Sequence, residues 1–455
     1  MRMKRIIFLV VPVLLALLAA ACIRDPLFPG PTDVSAWKGL VINEIAAHDQ
    51  TVDAATKVEL LNTGSATMDL TGLGLYITDE YFTGQSIWAA PAGAKLAAGE
   101  RLVLSTDDET LRTGISSAAQ FVLKLAVEDG TAVDVFDRSK AFSGPAACYA
   151  RGSYQRIPDG TGDWKNLTYA SIGKENKVFS VDDYRHTAIW AWSSHVSDMM
   201  ENDAAKLRNL KKLGYDHILL NFAAFEASNQ RNTLKFLDAC EQLDINVHCW
   251  MQCFYKGGWI SPIDDNTKSY KEEVYADIRA HAKTYLEDFG VKGLHLDYIR
   301  FGGTASKHDH SAEVNSVAAV NRCCRELREI TDGYDEGLVM SAALMPEPNT
   351  EYAYGQNPAQ MGQFIHILMP MEYRYSYNWS DARCKTLTDW FCDHAGGAEV
   401  WAGITTYTGT DSGGVKGMDA AGIRRDIDIF MDSKAKGLVL FRYGLGTFPD
   451  VTDLN

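Results

Sequence analysis

The sequence predicts two folded domains in series, an all-β sandwich followed by a (β/α)8 barrel. The chain has 455 residues, too many for one ordinary domain, and 46% of them are hydrophobic, which suits a protein with sizeable cores. Between residues 40 and 136, short β-rich runs are separated by turn signals. After residue 177, strand-like and helix-like segments alternate, which is typical of a parallel sheet covered by helices.

The first domain is predicted from the length and spacing of its apolar runs. Runs this short, broken this often by turn residues, favour an antiparallel sandwich. The dipeptide Asp129-Gly130 stands between the last two runs and is a hairpin turn signal. The predicted strands are residues 40–45, 57–62, 73–78, 101–105, 121–127 and 132–136.

The same segment contains a series of polar, glycine and aromatic residues in a characteristic order, namely Asn43, Glu44, Glu59, Asn62, Gly64, Asp69, Gly72, Gly99, Glu100, Arg156, Pro158, Asp159, Gly160, Trp164, Gly173 and Asn176. In these residues the segment resembles the lamin-tail domain, an immunoglobulin-like sandwich that occurs beside varied enzymes in exported bacterial proteins. The resemblance implies that residues 37–178 are an accessory module and that Glu44 and Glu59 accept structural hydrogen bonds.

The second domain, residues 183–455, is predicted from eight strands separated by helix-like segments. Eight βα repeats in a segment of this length fit a (β/α)8 barrel. Only residues 443–455 follow the last strand, which leaves little room for a closing helix. The predicted strands are residues 187–192, 217–222, 246–252, 293–297, 338–344, 364–370, 400–405 and 437–442.

Polar and aromatic side chains follow the carboxyl ends of these strands. In a barrel the loops after the strands meet at one mouth, where the chemistry of such folds lies. Aromatic platforms, amides and carboxylates at one mouth are typical of a carbohydrate site. The residues predicted to bind a sugar are Trp192, His248, Trp250, Gln252, Trp259, Tyr298, Arg300, Tyr373, Tyr407 and Arg442.

Three carboxylates are candidates for catalysis. Glycoside hydrolysis uses two carboxyl groups, one to protonate the leaving oxygen and one to attack the anomeric carbon or activate water. Asp297 ends the fourth strand, and Arg300 could keep it ionised as the nucleophile or base. Glu372, just beyond an apolar strand, suits the acid, and Glu347, between two prolines, is its rival.

The barrel resembles glycoside-hydrolase-like TIM-barrel families allied to the α-amylase superfamily, including the glycosyl-hydrolase-10-like group of bacterial lipoproteins. The resemblance implies glycoside hydrolysis with Asp297 and Glu372 in catalytic roles. Lys292 departs from the family's usual Asp, and Phe301-Gly302-Gly303 replaces its usual Tyr-Pro. The motifs that carry the resemblance are residues 210–217, 244–250, 293–301 and 365–373.

Two alternative functions stay open. The first is a binding protein whose hydrolase-like barrel holds glycan without cutting it. The second is a metal-dependent hydrolase, since His308 and His310 flank Asp309 in the loop after the fourth strand, and imidazole and carboxylate are common metal ligands. The preferred interpretation has no metal and no cofactor, because no phosphate-binding glycine loop or dinucleotide fingerprint is present.

The first 36 residues predict export and anchoring. Basic residues precede an apolar run over residues 6–18, typical of a signal peptide comprising residues 1–21. Small residues before Cys22 resemble the lipobox of bacterial lipoproteins, which implies a lipidated Cys22, a tether over residues 22–36 and a place at the cell envelope. An ordinary signal-peptidase site is the alternative. The formal net charge of -15 argues against nucleic acid as a partner.

Overall fold

A computed structural model of the chain describes residues 32–48, 55–80, 83–117, 120–144, 147–334, 337–410 and 414–454. The predicted signal peptide, Cys22 and most of the predicted tether lie outside the described residues. The chain divides into two compact units. The first comprises Met1–Ala147, Arg156–Trp164 and Ile172–Asn176, and the second comprises Cys148–Gln155, Lys165–Ser171 and Lys177–Asn455.

The first unit is all-β, as predicted. One sheet has the strand order β11-β10-β1-β2-β7, a second has the order β5-β4-β8-β9, and β3 pairs with β6. Asp129-Gly130 forms the predicted β8–β9 turn, where Gly130 has a φ of 85°. The strands are β1 (Leu40–Ala46), β2 (Lys57–Asn62), β3 (Met68–Asp69), β4 (Leu73–Thr78), β5 (Gln85–Ala89), β6 (Lys95–Leu96), β7 (Arg101–Ser105), β8 (Val122–Val127), β9 (Ala132–Asp137), β10 (Ser153–Ile157) and β11 (Asp163–Leu167).

A buried polar hub lies in the first unit around the carboxylate of Glu59. Asn43 donates to Glu59 Oε1 over 2.7 Å, and the backbone N–H of Gly173 donates to Oε2 over 2.7 Å. Arg101 lies 3.3 Å from Oε1, and the side-chain Oδ1 of Asn43 accepts from Gly160 N over 2.8 Å. Glu59 is fully buried, and burial raises its pKa. The predicted structural role of Glu59 therefore agrees with its contacts.

The second unit is a closed barrel of eight parallel strands, in the order β12-β13-β14-β17-β18-β19-β20-β23. This confirms the predicted (β/α)8 fold. Two small hairpins, β15–β16 and β21–β22, extend its loops. The strands are β12 (Thr187–Ala191), β13 (His217–Asn221), β14 (Asn246–Gln252), β15 (Ile263–Asp264), β16 (Ser269–Tyr270), β17 (Gly293–Asp297), β18 (Val339–Leu344), β19 (Ile367–Pro370), β20 (Glu399–Thr405), β21 (Tyr407–Thr410), β22 (Gly414–Gly417) and β23 (Gly437–Phe441).

Helices cover the outside of the barrel strands. They bury an apolar layer against outward side chains such as Leu220, Leu294 and Leu368. No helix in the described ranges is long and apolar enough to cross a membrane. The helices are Arg138–Ala141 in the first unit and, in the second, His195–Lys212, Gln230–Gln242, Glu272–Phe289, Ser316–Asp332, Glu351–Tyr354, Pro358–Met361, Arg374–Tyr377, Asp381–Asp393 and Ala420–Met431.

Residues 442–454 contain no helix and pack against the loop that joins the helix His195–Lys212 to β13. Val451 N donates to Leu213 O over 2.8 Å, and the Tyr215 hydroxyl donates to Pro449 O over 3.1 Å. The Phe448 ring packs edge-on against Tyr215, with 5.4 Å between ring centroids. The last residues of the barrel unit are therefore held by hydrogen bonds and ring packing without a closing helix.

The cysteines that the structure describes are mostly buried thiols. Seven of the eight cysteines in the described residues are buried, and Cys392 is partly exposed. Burial raises the pKa of thiols such as Cys249, so they act as small apolar side chains.

We predict that Glu59→Ala destabilises the first unit by about 3 to 5 kcal/mol, because it leaves the buried donors of Asn43, Gly173 and Arg101 without their acceptor. Urea unfolding measures this. Glu128→Ala, at an exposed position, is the matched control and should change the free energy of unfolding by no more than about 0.5 kcal/mol. Equal unfolding curves for the two variants would contradict a structural role for the hub.

Candidate functional site

Asp297 is the buried carboxylate at the mouth of the barrel. Its Oδ2 accepts a hydrogen bond from the Trp250 indole over 2.9 Å, and its Oδ1 accepts from Tyr298 N over 2.6 Å. Tyr298 has a φ of 51°, a strained backbone conformation for an aromatic residue. Burial raises the pKa of Asp297, while the Trp250 and Tyr298 hydrogen bonds and the charge of Arg300 oppose that rise. The two donors therefore stabilise the carboxylate in a site that disfavours charge.

An aromatic wall lies on the Trp250 side of Asp297. The rings of Trp192 and Trp250 are 4.6 Å apart between centroids. The Tyr373 ring stacks on Phe441 at 5.3 Å, and Tyr407 lies 6.3 Å from the same Phe441 ring. The sequence analysis does not predict Phe441 as a site residue. Phe441 lies two residues after the inward-facing Val439 on the last strand, so its side chain also faces inward. The wall offers flat faces of the kind that pack on sugar rings.

A second aromatic cluster adjoins Asp297 through Tyr298, the next residue in the chain, and consists of Tyr255, Trp259 and Tyr298. The Tyr255 and Tyr298 rings stack with 4.6 Å between centroids, and Trp259 lies 5.6 Å from Tyr298. The Arg300 guanidinium sits 4.6 Å from the centre of the Trp259 ring. Trp259 is 45% exposed, so one large indole surface meets solvent at the mouth.

Arg300 is predicted to keep Asp297 ionised, but it does so only weakly and without direct contact. Its guanidinium forms no ion pair with Asp297 within 4.0 Å, and its charge lowers the pKa of Asp297 less than the Trp250 hydrogen bond does. Gln252 ends β14 directly opposite Asp297 in the strand pairing, which places two polar side chains at one level of the mouth.

Beneath the mouth, the barrel interior holds a hydrogen-bonded layer around His295. The Trp190 indole donates to His295 Nε2 over 2.9 Å, and His295 Nδ1 lies 2.8 Å from the Ser341 hydroxyl. Burial lowers the pKa of His295 to about 3, so the ring is neutral. Since the indole N–H donates to Nε2, Nδ1 carries the hydrogen and donates to Ser341.

His248, predicted to bind substrate, lies at the opposite end of the barrel. It is fully enclosed, 3.1 Å from His217 Nδ1 at the start of β13, and its ring lies against Gly293 at the start of β17. A Cβ at Gly293 would stand 2.3 Å from His248 Nδ1, so only glycine fits there. Burial lowers the pKa of His248 to about 3. The structure does not bring His248 to the mouth.

Glu372, predicted as the acid, faces the helix Asp381–Asp393 and does not contact Asp297. Leu368 on the same strand faces the helices, and Glu372 follows it by an even number of residues. Tyr373, one residue further, points to the Phe441 ring inside the mouth. The alternation of side chains along the strand therefore separates these two predicted site residues.

Burial favours the neutral form of Glu372 and raises its pKa to about 8. The Thr388 hydroxyl lies 2.9 Å from Glu372 Oε2 and also 2.9 Å from the carbonyl of Cys384, and it can donate to either of them. A hydrogen bond from Thr388 to Glu372 opposes the rise in pKa but does not cancel it. Glu372 is then a structural group of the outer layer.

Glu347 lies in the loop after β18. Burial raises the pKa of Tyr377 to about 12, and the charge of Glu347 raises it further while that of Arg300 lowers it. Glu347 is half-buried, and its Oε2 has no hydrogen-bond partner among the described residues. Its place depends on the loop after β18, which strand periodicity does not predict.

The histidines of the fourth loop share one carboxylate. His308 Nδ1 lies 2.9 Å, and His310 Nε2 2.8 Å, from Asp265 Oδ1. A carboxylate only accepts hydrogen bonds, so both of these ring nitrogens donate and neither offers a lone pair to a metal. In the part of the chain that the structure describes, ligand atoms cluster within 4.8 Å only at Asp182, His186 and Glu399, at the amino ends of the strands.

Comparison with known proteins gives fold-level similarities. The sequence matches no protein-family model and no curated protein. A GH18 chitinase from Pseudoalteromonas aurantia is 14% identical, with a TM-score of 0.40, over 57% of this chain and 94% of that chain. The spore cortex-lytic enzyme SleL of Bacillus megaterium is 12% identical, with a TM-score of 0.41, over 61% and 75%. A family 18 N-acetylglucosaminidase from Paenibacillus barengoltzii is 12% identical, with a TM-score of 0.40, over 57% and 95%. At these values the chemistry must be inferred from the chain's own side chains.

We predict that Glu372→Gln weakens the pH dependence of stability. A carboxyl whose pKa rises from 4.5 in the unfolded chain to about 8 in the folded one stabilises the fold fully below pH 4.5, and this contribution is lost as pH rises towards 8. The native protein should lose on the order of a few kcal/mol over that window, and the variant less. Urea unfolding at several pH values measures both. Glu329→Gln, at an exposed site, is the control, and equal slopes for all three proteins would show that Glu372 is ionised when folded.

Proposed function

We propose that the barrel is a glycoside hydrolase that acts on a polysaccharide or cell-wall glycan. The observation that carries the proposal is the buried Asp297, held by an indole and a backbone N–H beside two clusters of aromatic rings. Aromatic faces pack on the apolar faces of sugar rings, and a fixed carboxylate at the carboxyl end of a barrel strand is placed for chemistry.

In this proposal, Asp297 is the nucleophile or base. Its two hydrogen-bond donors fix the direction of the carboxylate and favour its charged form. A carboxylate held in one orientation needs little reorganisation when positive charge develops on the sugar ring in the transition state.

Glu347 is the candidate for the proton donor. Glu372 faces the outer helix, which leaves Glu347, in the loop after β18, as the other predicted glutamate. Its Oε2 is buried and has no hydrogen-bond partner among the described residues, so no bond of this atom has to break before it meets a glycosidic oxygen. Asp297 and Glu347 would then flank the scissile bond, as the two-carboxyl mechanism requires.

A second candidate function is glycan binding without cleavage. The observation that favours it is the outward direction of Glu372, which removes one of the predicted acids from the mouth while both aromatic surfaces remain. A binding protein needs those surfaces but no second carboxyl group. Hydrolysis assays separate the two functions.

We predict that Asp297→Asn and Glu347→Gln each lower the hydrolysis rate by about 10²- to 10⁴-fold, the usual contribution of a general acid or base. Release of reducing ends from a panel of polysaccharides and peptidoglycan glycans measures this. Glu372→Gln is the matched carboxyl-to-amide control and should keep the native rate. Undiminished cleavage by Asp297→Asn would overturn the proposed mechanism. Binding of glycan by a native protein that cleaves no member of the panel would favour the second function.

We also propose that the protein is anchored at the bacterial cell envelope through a lipid on Cys22. The basic, apolar and small-residue segments before Cys22 support the proposal. An anchor of this kind would hold the barrel beside the glycans of the cell wall.

We predict that Cys22→Ser abolishes incorporation of labelled fatty acid and releases the chain from the membrane fraction of the producing bacterium. Cys392→Ser, which removes a partly exposed thiol, is the control and should stay labelled. Fatty-acid labelling of Cys22→Ser at the native level would exclude Cys22 as the lipidation site.

A further inference from the structure

Arg442 presents a guanidinium without a carboxylate partner at the mouth of the barrel. It follows β23 directly, and its guanidinium carbon lies 5.8 Å from the centre of the Trp192 ring. No carboxylate lies within 4.0 Å of it among the described residues. Its positive charge instead contributes to lowering the pKa of the neighbouring His195, whose burial is the larger cause.

Most arginines of the barrel unit are neutralised, unlike Arg442. Arg322 pairs with Glu272 and Glu326, and Arg424 pairs with Asp428 and Asp453. The chain has 59 acidic and 44 basic residues, so partners are abundant. A half-buried guanidinium without one loses hydration and gains no ion pair in return. Such an arrangement favours a partner that arrives from outside.

The backbone of Arg442 is held firmly. Its N–H donates to the Thr406 hydroxyl over 3.0 Å, and that hydroxyl donates to the Arg442 carbonyl over 3.0 Å. Thr406 is fully buried. These two reciprocal hydrogen bonds fix the backbone of Arg442 at the rim of the mouth. The guanidinium therefore extends from a rigid backbone position.

Contacts connect Arg442 to the candidate catalytic carboxylate. Arg442 lies near Trp192, the Trp192 and Trp250 rings are 4.6 Å apart between centroids, and Trp250 donates to Asp297. Arg300, three residues after Asp297, repeats the arrangement beside Trp259, and its Nε has no acceptor among the described residues. A sugar chain bound at Asp297 would thus lie near two indole rings and two guanidinium groups.

We propose that the mouth selects glycans whose sugar rings carry carboxylates, with Arg442 pairing with the carboxylate of a sugar stacked on Trp192. The inference rests on the proposed function, because it names the substrate class of the same site. The planar guanidinium matches a carboxylate with two parallel hydrogen bonds, and the indole packs on the ring that bears it.

Binding to matched glycan pairs tests the inference. The full chain carrying Asp297→Asn, which leaves substrate intact, is titrated calorimetrically with carboxylated oligosaccharides and with the same oligosaccharides after reduction of their carboxyl groups to alcohols. We expect about 10- to 100-fold tighter binding of the carboxylated members, the effect of a hydrogen bond to a charged group. Adding Arg442→Ala should abolish this preference, and high salt should weaken it. Sulfated oligosaccharides form a third arm that separates carboxylate from other anions.

Controls make each outcome decisive. Arg325→Ala removes an equal charge from an exposed helix position and should keep the preference. Thermal unfolding checks that the Arg442 variant folds, and Arg442→Gln replaces it if it does not. If carboxylated and reduced members bind equally, or if sulfated members bind best, the inference is overturned. If the native chain cleaves glycans but shows no carboxylate preference, the proposed hydrolase function is supported and this inference is wrong. If the chain prefers carboxylated glycans but the native protein cleaves none, this inference is supported and the hydrolase function is wrong.

Discussion

Successive side chains of a β-strand point to opposite faces, and in a closed barrel one face is the interior and the other meets the helices. This constraint decides which residues can act together here. On β14 and β17 it turns Trp250 and Asp297 into the interior, where they form a hydrogen bond. After β19 it turns Tyr373 inward and Glu372 outward. A shift of one position along the strand therefore decides whether a side chain points into the mouth or towards the outer helices.

The strands were predictable because their apolar runs are short and regularly spaced. β14 and β17 lie at the predicted residues, and the other barrel strands differ only at their ends. The two misplaced site residues have different physical causes. Glu372 follows an apolar strand, and that position alone predicts a place at the mouth. The alternation of side chains along the strand, however, puts Glu372 on the outer face. His248 lies four residues before the end of β14, roughly 13 Å below the mouth at the usual rise of a strand. The position of Glu347 depends on loop packing, which no periodicity encodes.

Burial has two opposite electrostatic effects at the mouth. Burial disfavours the charge on Asp297, and the same loss of water strengthens every hydrogen bond and charge that remains near it. The guanidinium groups of Arg300 and Arg442 lie near indole rings and form no ion pair among the described residues. An anionic sugar would supply the negative partner that Arg442 lacks.

The hub around Glu59 has a consequence for how the first unit folds. Its hydrogen bonds join residues far apart in the chain, with Glu59 bonded to Gly173 across 114 positions and Asn43 to Gly160 across 117. Closing such long loops costs chain entropy before the buried carboxylate gains its donors, and folds dominated by distant pairings form slowly. The barrel strands, by contrast, pair mostly with their neighbours in sequence. The β-sandwich is therefore expected to be the slower unit to reach its native state, completed only when Gly160 and Gly173 return to its first two strands.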